Sequence, residues 1–165
     1  MWKEYLGPGA KIIGIDIHPG CKVHEAEDIE IFIGSQDDAN LLDQIKEKYP
    51  RIDIVLDDGS HVMKHMVDTF GYLYDHVHSL GLYMVEDAHT CYMDDYGGGL
   101  KREGSFMEFV KDRIDDLNAV YTGGALPIST FTRSTDAICV YDSVIVFERR
   151  PQGTRQAVLT KQMEA

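Results

Sequence analysis

Apolar residues follow two different rhythms along this chain. Residues 11–17, 29–33, 52–56 and 82–85 are short runs rich in Ile and Val, almost unbroken by polar side chains. Runs of that length read as strands covered on both faces, the mark of a parallel sheet. Between them the apolar spacing changes to three and four. Leu41, Leu42, Ile45 and Tyr49 share one face of a helix predicted over 38–49. Met66, Phe70, Leu73 and Val77 do the same over 62–79. A third helix is predicted from Ser105, which has the capping-box spacing to Glu108, with Phe106, Phe109, Val110, Ile114 and Leu117 on its apolar face. Alternating strands and helices make an α/β sheet. The last two runs, 137–141 and 144–147, are separated only by Asp142 and Ser143. So short a link cannot be a parallel crossover and predicts an antiparallel hairpin.

The length of 165 residues allows one domain, expected over 1–150, with a polar tail at 151–165. There are 28 acidic and 16 basic side chains, a formal charge of −12. This balance speaks against nucleic-acid binding, which needs clustered Lys and Arg; Arg149-Arg150 is the candidate basic patch, and two charges make a weak one. No apolar stretch approaches a membrane span, and the first residues do not resemble a signal peptide. Cys21, Cys91 and Cys139 form no CxxC pair, which excludes a thiolate zinc knuckle and suits a reducing, cytoplasmic setting.

The chemistry gathers at strand ends. Three of the four predicted parallel strands finish in acidic residues: Asp16, Asp57-Asp58 and Glu86-Asp87. Ligands of open α/β sheets bind outside the carboxyl ends of strands, so these carboxylates are expected to converge. A single such Asp more often caps a turn, but three together with His61 and His89 favour a site. Asp58 and Asp87 suit Mg²⁺, which takes one or two carboxylates and keeps several waters. His61, after Gly59, is placed to accept a proton near neutral pH. His61 and His65 have the spacing of paired zinc ligands, but Val62-Met63-Lys64 between them lacks the Glu of a metalloprotease. Asp16 is placed to bind ribose hydroxyls, and Ser35-Gln36-Asp37 lies where an adenine edge would fall; Ser35 and Asp37 serve equally as helix caps. Residues 92–99, ending in Gly97-Gly98-Gly99, read as a flexible aromatic loop, either a substrate lid or a long connection. His18, His24, His76 and His78 read as surface residues without partners.

The elements Gly14-Ile-Asp-Ile-His-Pro19, Asp57-Asp-Gly-Ser-His61 and Glu86-Asp-Ala-His-Thr90, with Gly97-Gly98-Gly99, resemble class I S-adenosylmethionine-dependent methyltransferases. Within that class they resemble the metal-dependent sugar O-methyltransferases of macrolide biosynthesis, over about residues 1–150. The resemblance implies a Rossmann-like, mostly parallel sheet closed by an antiparallel hairpin. It implies S-adenosylmethionine bound near Asp16, Ser35, Gln36 and Asp57, Mg²⁺ on Asp58 and Asp87, and His61 as general base. In that family a first strand and its Gly-rich loop precede the segment matching residues 2–6. Here that segment opens the sequence, so the resemblance implies a sheet with the first strand missing. Either a gap or an improvised pairing is then expected between the strands at 11–17 and 52–58, and weak cofactor binding with it.

The expected activity is methyl transfer to a hydroxyl of a small molecule, such as a sugar of a natural product. Two other readings use the same residues: a non-catalytic interaction module of the methyltransferase fold, and a metal-dependent hydrolase needing no cofactor. No code for a particular acceptor is legible, and the sequence is compatible with a homo-oligomer.

Overall fold

The structure, a computed structural model, describes residues 2–154, and the remainder of the expected polar tail lies outside the described residues. Helix α1 (Trp2–Leu6) leads to β1 (Ile12–Asp16) and, after a 3-10 turn, to β2 (Ile29–Ile33). Then come α2 (Ala39–Lys48), β3 (Ile52–Asp57), α3 (Met63–Leu73) and β4 (Val77–Val85). The chain closes with α4 (Phe106–Leu117), α5 (Thr130–Ser134), β5 (Thr135–Tyr141) and β6 (Val144–Arg149).

The strands form two sheets. β1 and β2 pair in parallel, with Asp16 opposite Ile33. The other sheet has the order β3-β4-β6-β5. β3 and β4 run parallel, bringing Asp57 opposite Val85, and β6 lies antiparallel to β4. β5 and β6 are the predicted hairpin, with Tyr141 opposite Val144 and Ser143 in the turn at φ +61°. Among the described residues no ladder joins β1 to β3, so each presents one edge without a strand partner. No helix among them is long and apolar enough to cross a membrane.

α3 is shorter than its apolar spacing suggests. The helix ends at Leu73, residues Tyr74–His76 form a 3-10 turn, and Val77 already pairs with Ile52 in the sheet. The buried Arg149 explains the stop, because its guanidinium donates to the carbonyls of Tyr74 and Val77, both at 2.6 Å. Those carbonyls find partners without another helical turn. Arg149 is therefore interior, and Arg150 lies beside Asp136 at 3.4 Å. The pair makes no basic patch.

The core lies between α3, α4, α5 and strands β4 and β6. Phe70 is its centre, stacked on Tyr74 at 4.5 Å and packed against Phe147 at 4.7 Å and Tyr83 at 5.0 Å. Offset and edge-on ring pairs of this kind add to the stabilisation from area burial. α2 buries Leu41, Leu42 and Ile45 as its pattern requires, while Ile114 of α4 stays largely exposed. Coverage on both faces does not hold throughout either. Ile54 of β3 and Leu80 of β4 are exposed while Tyr83 and Val85 are buried, because the residues facing the helices alternate with the others along the strand.

Candidate active site

The connection from β3 to α3 is shaped by a side chain from another loop. Gln36, three residues past β2, accepts the Ser60 N–H on Oε1 at 2.6 Å. Its Nε2 donates to Asp57 Oδ1 at 2.9 Å and to Thr69 Oγ1 at 3.1 Å. Gly59 makes room for this: a Cβ there would fall 2.1 Å from Gln36 Oε1. Asp57 is buried and also accepts the Tyr83 hydroxyl at 3.2 Å. Burial pushes its carboxyl pKa up, opposed by the hydrogen bonds from Gln36 and Tyr83.

Beyond this anchor the chain turns outward. Asp58 is exposed, His61 sits at φ +57°, and α3 begins at Met63. From the end of β4, Asp87 turns back through φ +51°, ψ +33°, its carbonyl accepting the Thr90 N–H at 3.0 Å and the Thr90 hydroxyl at 2.8 Å. One donor atom from each of Asp58, His61 and Asp87 then lies within 4.8 Å of the others. His61 Nε2 is 3.8 Å from Asp87 Oδ2, and the ring meets Tyr96 edge-on at 6.1 Å. Two non-glycine residues in the left-handed region face each other here. Such conformations cost roughly 1–3 kcal/mol each and gather at functional sites.

The donor set fits a hard divalent cation. Two exposed carboxylates supply oxygen, which Mg²⁺ prefers, and an imidazole stands beside them able to take a proton. The paired-histidine zinc alternative does not form: His65 Nδ1 meets Ser60 Oγ at 2.9 Å and its Nε2 lies 3.5 Å from Asp37.

On the neighbouring strand ends, Asp16 is exposed and accepts the His18 N–H at 2.7 Å. That bond, with one from the Cys21 thiol, holds its carboxyl below the ordinary range. Ser35 donates to Asp37, and neither caps α2; Asp38 does, accepting from Asn40 and Leu41. The side chains of Gln36 and Asp57 are engaged with each other, which makes them supports of the strand-end loops. Residues 92–99 are wound tightly, with 3-10 turns at Ala88–Tyr92 and Asp94–Tyr96. Gly98 donates to Met93 O and Gly99 to Cys91 O, and a Cβ on Gly98 would fall 2.5 Å from two carbonyl oxygens. His18, His76 and His78 also have partners: Gly20 N–H, the Tyr49 carbonyl and Leu80 N–H.

Two clefts lie elsewhere, one beside Asp53, Leu80 and Arg150, the other beside Lys64, Lys101 and Asp112. Neither is lined by Asp58, His61 or Asp87; the second carries Asp68, Glu103, Glu108 and Asp112, but among the described residues no three of these bring their donor atoms together as Asp58, His61 and Asp87 do. Sequence reasoning missed Thr69, Tyr83 and Ser143, which support the site from positions with no motif of their own.

Known proteins resemble this chain in both sequence and fold. The chain is 38% identical over 120 residues to mycinamicin VI 2''-O-methyltransferase of Micromonospora griseorubida, covering 71% of this chain and 30% of that protein. It is 36% identical over 120 residues to demethylmacrocin O-methyltransferase of Streptomyces fradiae, with the same coverage. The solved MycE methyltransferase from the mycinamycin biosynthetic pathway, in complex with Mg and SAH, superposes with a TM-score of 0.82 at 32% identity, over 91% of this chain and 40% of that one. This chain is a homologue of the sugar O-methyltransferases. It spans about a third of the length of the curated relatives it matches. No family model matches it. Another solved form of MycE holds Mg, SAH and mycinamycin VI.

Proposed function

We propose that this chain carries the metal and base centre of an S-adenosylmethionine- and Mg²⁺-dependent O-methyltransferase acting on a sugar hydroxyl of a natural product. The observation that carries the reading is the convergence of Asp58, His61 and Asp87 within 4.8 Å at the carboxyl ends of β3 and β4. Asp58 and Asp87 would hold Mg²⁺, which when bound polarises the acceptor hydroxyl and lowers its pKa. S-adenosylmethionine supplies an electrophilic methyl group and a thioether leaving group. His61 would receive the hydroxyl proton at Nε2, the nitrogen turned toward Asp87. Asp16 and Ser35 would border the nucleoside, while Gln36 and Asp57 hold the β2 and β3 loops in register.

The test is methyl transfer from labelled S-adenosylmethionine to mycinamicin VI, with and without Mg²⁺. Metal-dependent product supports the reading. Binding of neither cofactor nor metal in calorimetric titration ends it. A second reading, a module of the same fold that transfers no methyl group, is favoured by the absent ladder between β1 and β3. That reading expects metal binding with weak or no S-adenosylmethionine binding. Hydrolysis with metal alone would identify the third, a hydrolase.

A further inference from the structure

The turn of the β5–β6 hairpin reaches the loop that carries Asp87. The carbonyl of Ser143 accepts the Ala88 N–H at 2.9 Å, and Ser143 Oγ lies 2.6 Å from His89 Nδ1. The same nitrogen stands 3.7 Å from Asp87 Oδ1, against the carboxylate but beyond hydrogen-bond length. One residue, 54 positions beyond His89, thus grips both residues that follow Asp87. Asp87 needs such a grip. A non-glycine residue at φ +51° persists where its surroundings over-determine it. Thr90 holds the Asp87 carbonyl from within the same turn and cannot fix where that turn stands. Ser143 comes from a different element, anchored by the ladder from Val140 opposite Ile145 to Tyr141 opposite Val144.

We propose that Ser143 and His89 are positioning residues for Asp87. Together they set where its carboxylate stands relative to Asp58, and through that the affinity of the site for a divalent cation. This rests on the metal reading given above. The two carboxylates come from the ends of different strands, so their separation is fixed only as well as the loops behind them. Ser143 fixes the backbone through Ala88 and the side-chain environment through His89. Outer partners of this kind typically change metal affinity about 10–100-fold when removed.

The experiment titrates Mn²⁺ into the full chain, following free Mn²⁺ by electron paramagnetic resonance, with melting of the metal-free protein recorded in parallel. Ser143→Ala keeps the backbone bond and removes the hydroxyl; His89→Leu removes the ring nitrogen. Each is expected to weaken Mn²⁺ binding about 10-fold with the metal-free melting temperature unchanged. His89→Asn, whose amide reaches where Nδ1 stood, is expected to restore wild-type affinity. Wild-type affinity in both Ser143→Ala and His89→Leu, with Asp87→Asn defective, overturns the proposal and leaves the metal reading standing. So does weakened binding that His89→Asn fails to restore or that merely follows lowered melting. Absence of Mn²⁺ binding by the wild-type chain overturns the metal reading and the proposal together.

Discussion

His61 Nε2 stands 3.8 Å from Asp87 Oδ2, joining the ends of two parallel strands through side chains whose backbones both lie in the left-handed region. The separation is too long for a direct hydrogen bond and leaves the imidazole free to serve a third group between them. His61→Asn is the informative substitution, since Asn tolerates the left-handed backbone that Ala would strain. Methyl-transfer turnover is expected to fall about 10²–10⁴-fold, the usual contribution of a general base. Affinity for S-adenosylmethionine, measured by calorimetry, is expected to hold. Undiminished turnover would remove His61 from the base role.

Asp58→Asn and Asp87→Asn are each expected to weaken divalent-cation binding. Both carboxylates are exposed, so neither substitution leaves a buried charge without a partner, and the melting temperature without metal should stay close to wild type. Calorimetric titration with Mg²⁺ checks this. Equal affinity in wild type and both variants would show that the acidic cluster is only a solvated surface.

Much of this arrangement is legible in the sequence because it depends on local rules. The two residues between 137–141 and 144–147 admit only a hairpin, and the structure places the turn at Asp142-Ser143. Asp58 and Asp87 meet because β3 and β4 run parallel and share one carboxyl edge, whereas Asp16 ends β1 in the other sheet and lies outside that cluster. The supports are not legible, since they depend on distances across the chain. Gln36 reaches Asp57 over 21 positions, and Ser143 reaches His89 over 54. The end of α3 is illegible for a related reason. Val77 keeps the apolar spacing of the helix and is buried, but a guanidinium from 72 residues away takes the carbonyl and the chain enters the sheet.

Gly59→Ala is expected to destabilise the fold through Gln36. The added Cβ would fall 2.1 Å from Gln36 Oε1, and that side chain cannot swing aside without breaking its bonds to Ser60, Asp57 and Thr69. Leaving buried Asp57 short of a donor costs about 1–3 kcal/mol. In denaturant unfolding, Gln36→Ala with Gly59→Ala should be little less stable than Gln36→Ala alone, because the clash is gone. Simple additivity of the two substitutions would disprove the coupling.

Asp57 gives the last expectation, on stability against pH. Burial raises its carboxyl pKa in the folded protein above the ordinary value of 3.8, with the hydrogen bonds from Gln36 and Tyr83 opposing the rise. Between 3.8 and the raised folded value, the native state holds the proton that the unfolded chain has released. Stability from this group therefore falls as pH rises through that window, and at neutral pH the ionised carboxylate is a net burden. Asp57→Asn removes the charge while its amide oxygen still accepts from Gln36 Nε2, and its NH₂ donates to the Tyr83 oxygen in place of the bond now at 3.2 Å. The variant is expected to melt higher than wild type at pH 7, with the advantage shrinking as the pH drops toward 4. A variant that melts lower at pH 7, with a deficit that narrows on acidification, would show that the carboxylate's hydrogen bonds outweigh its desolvation.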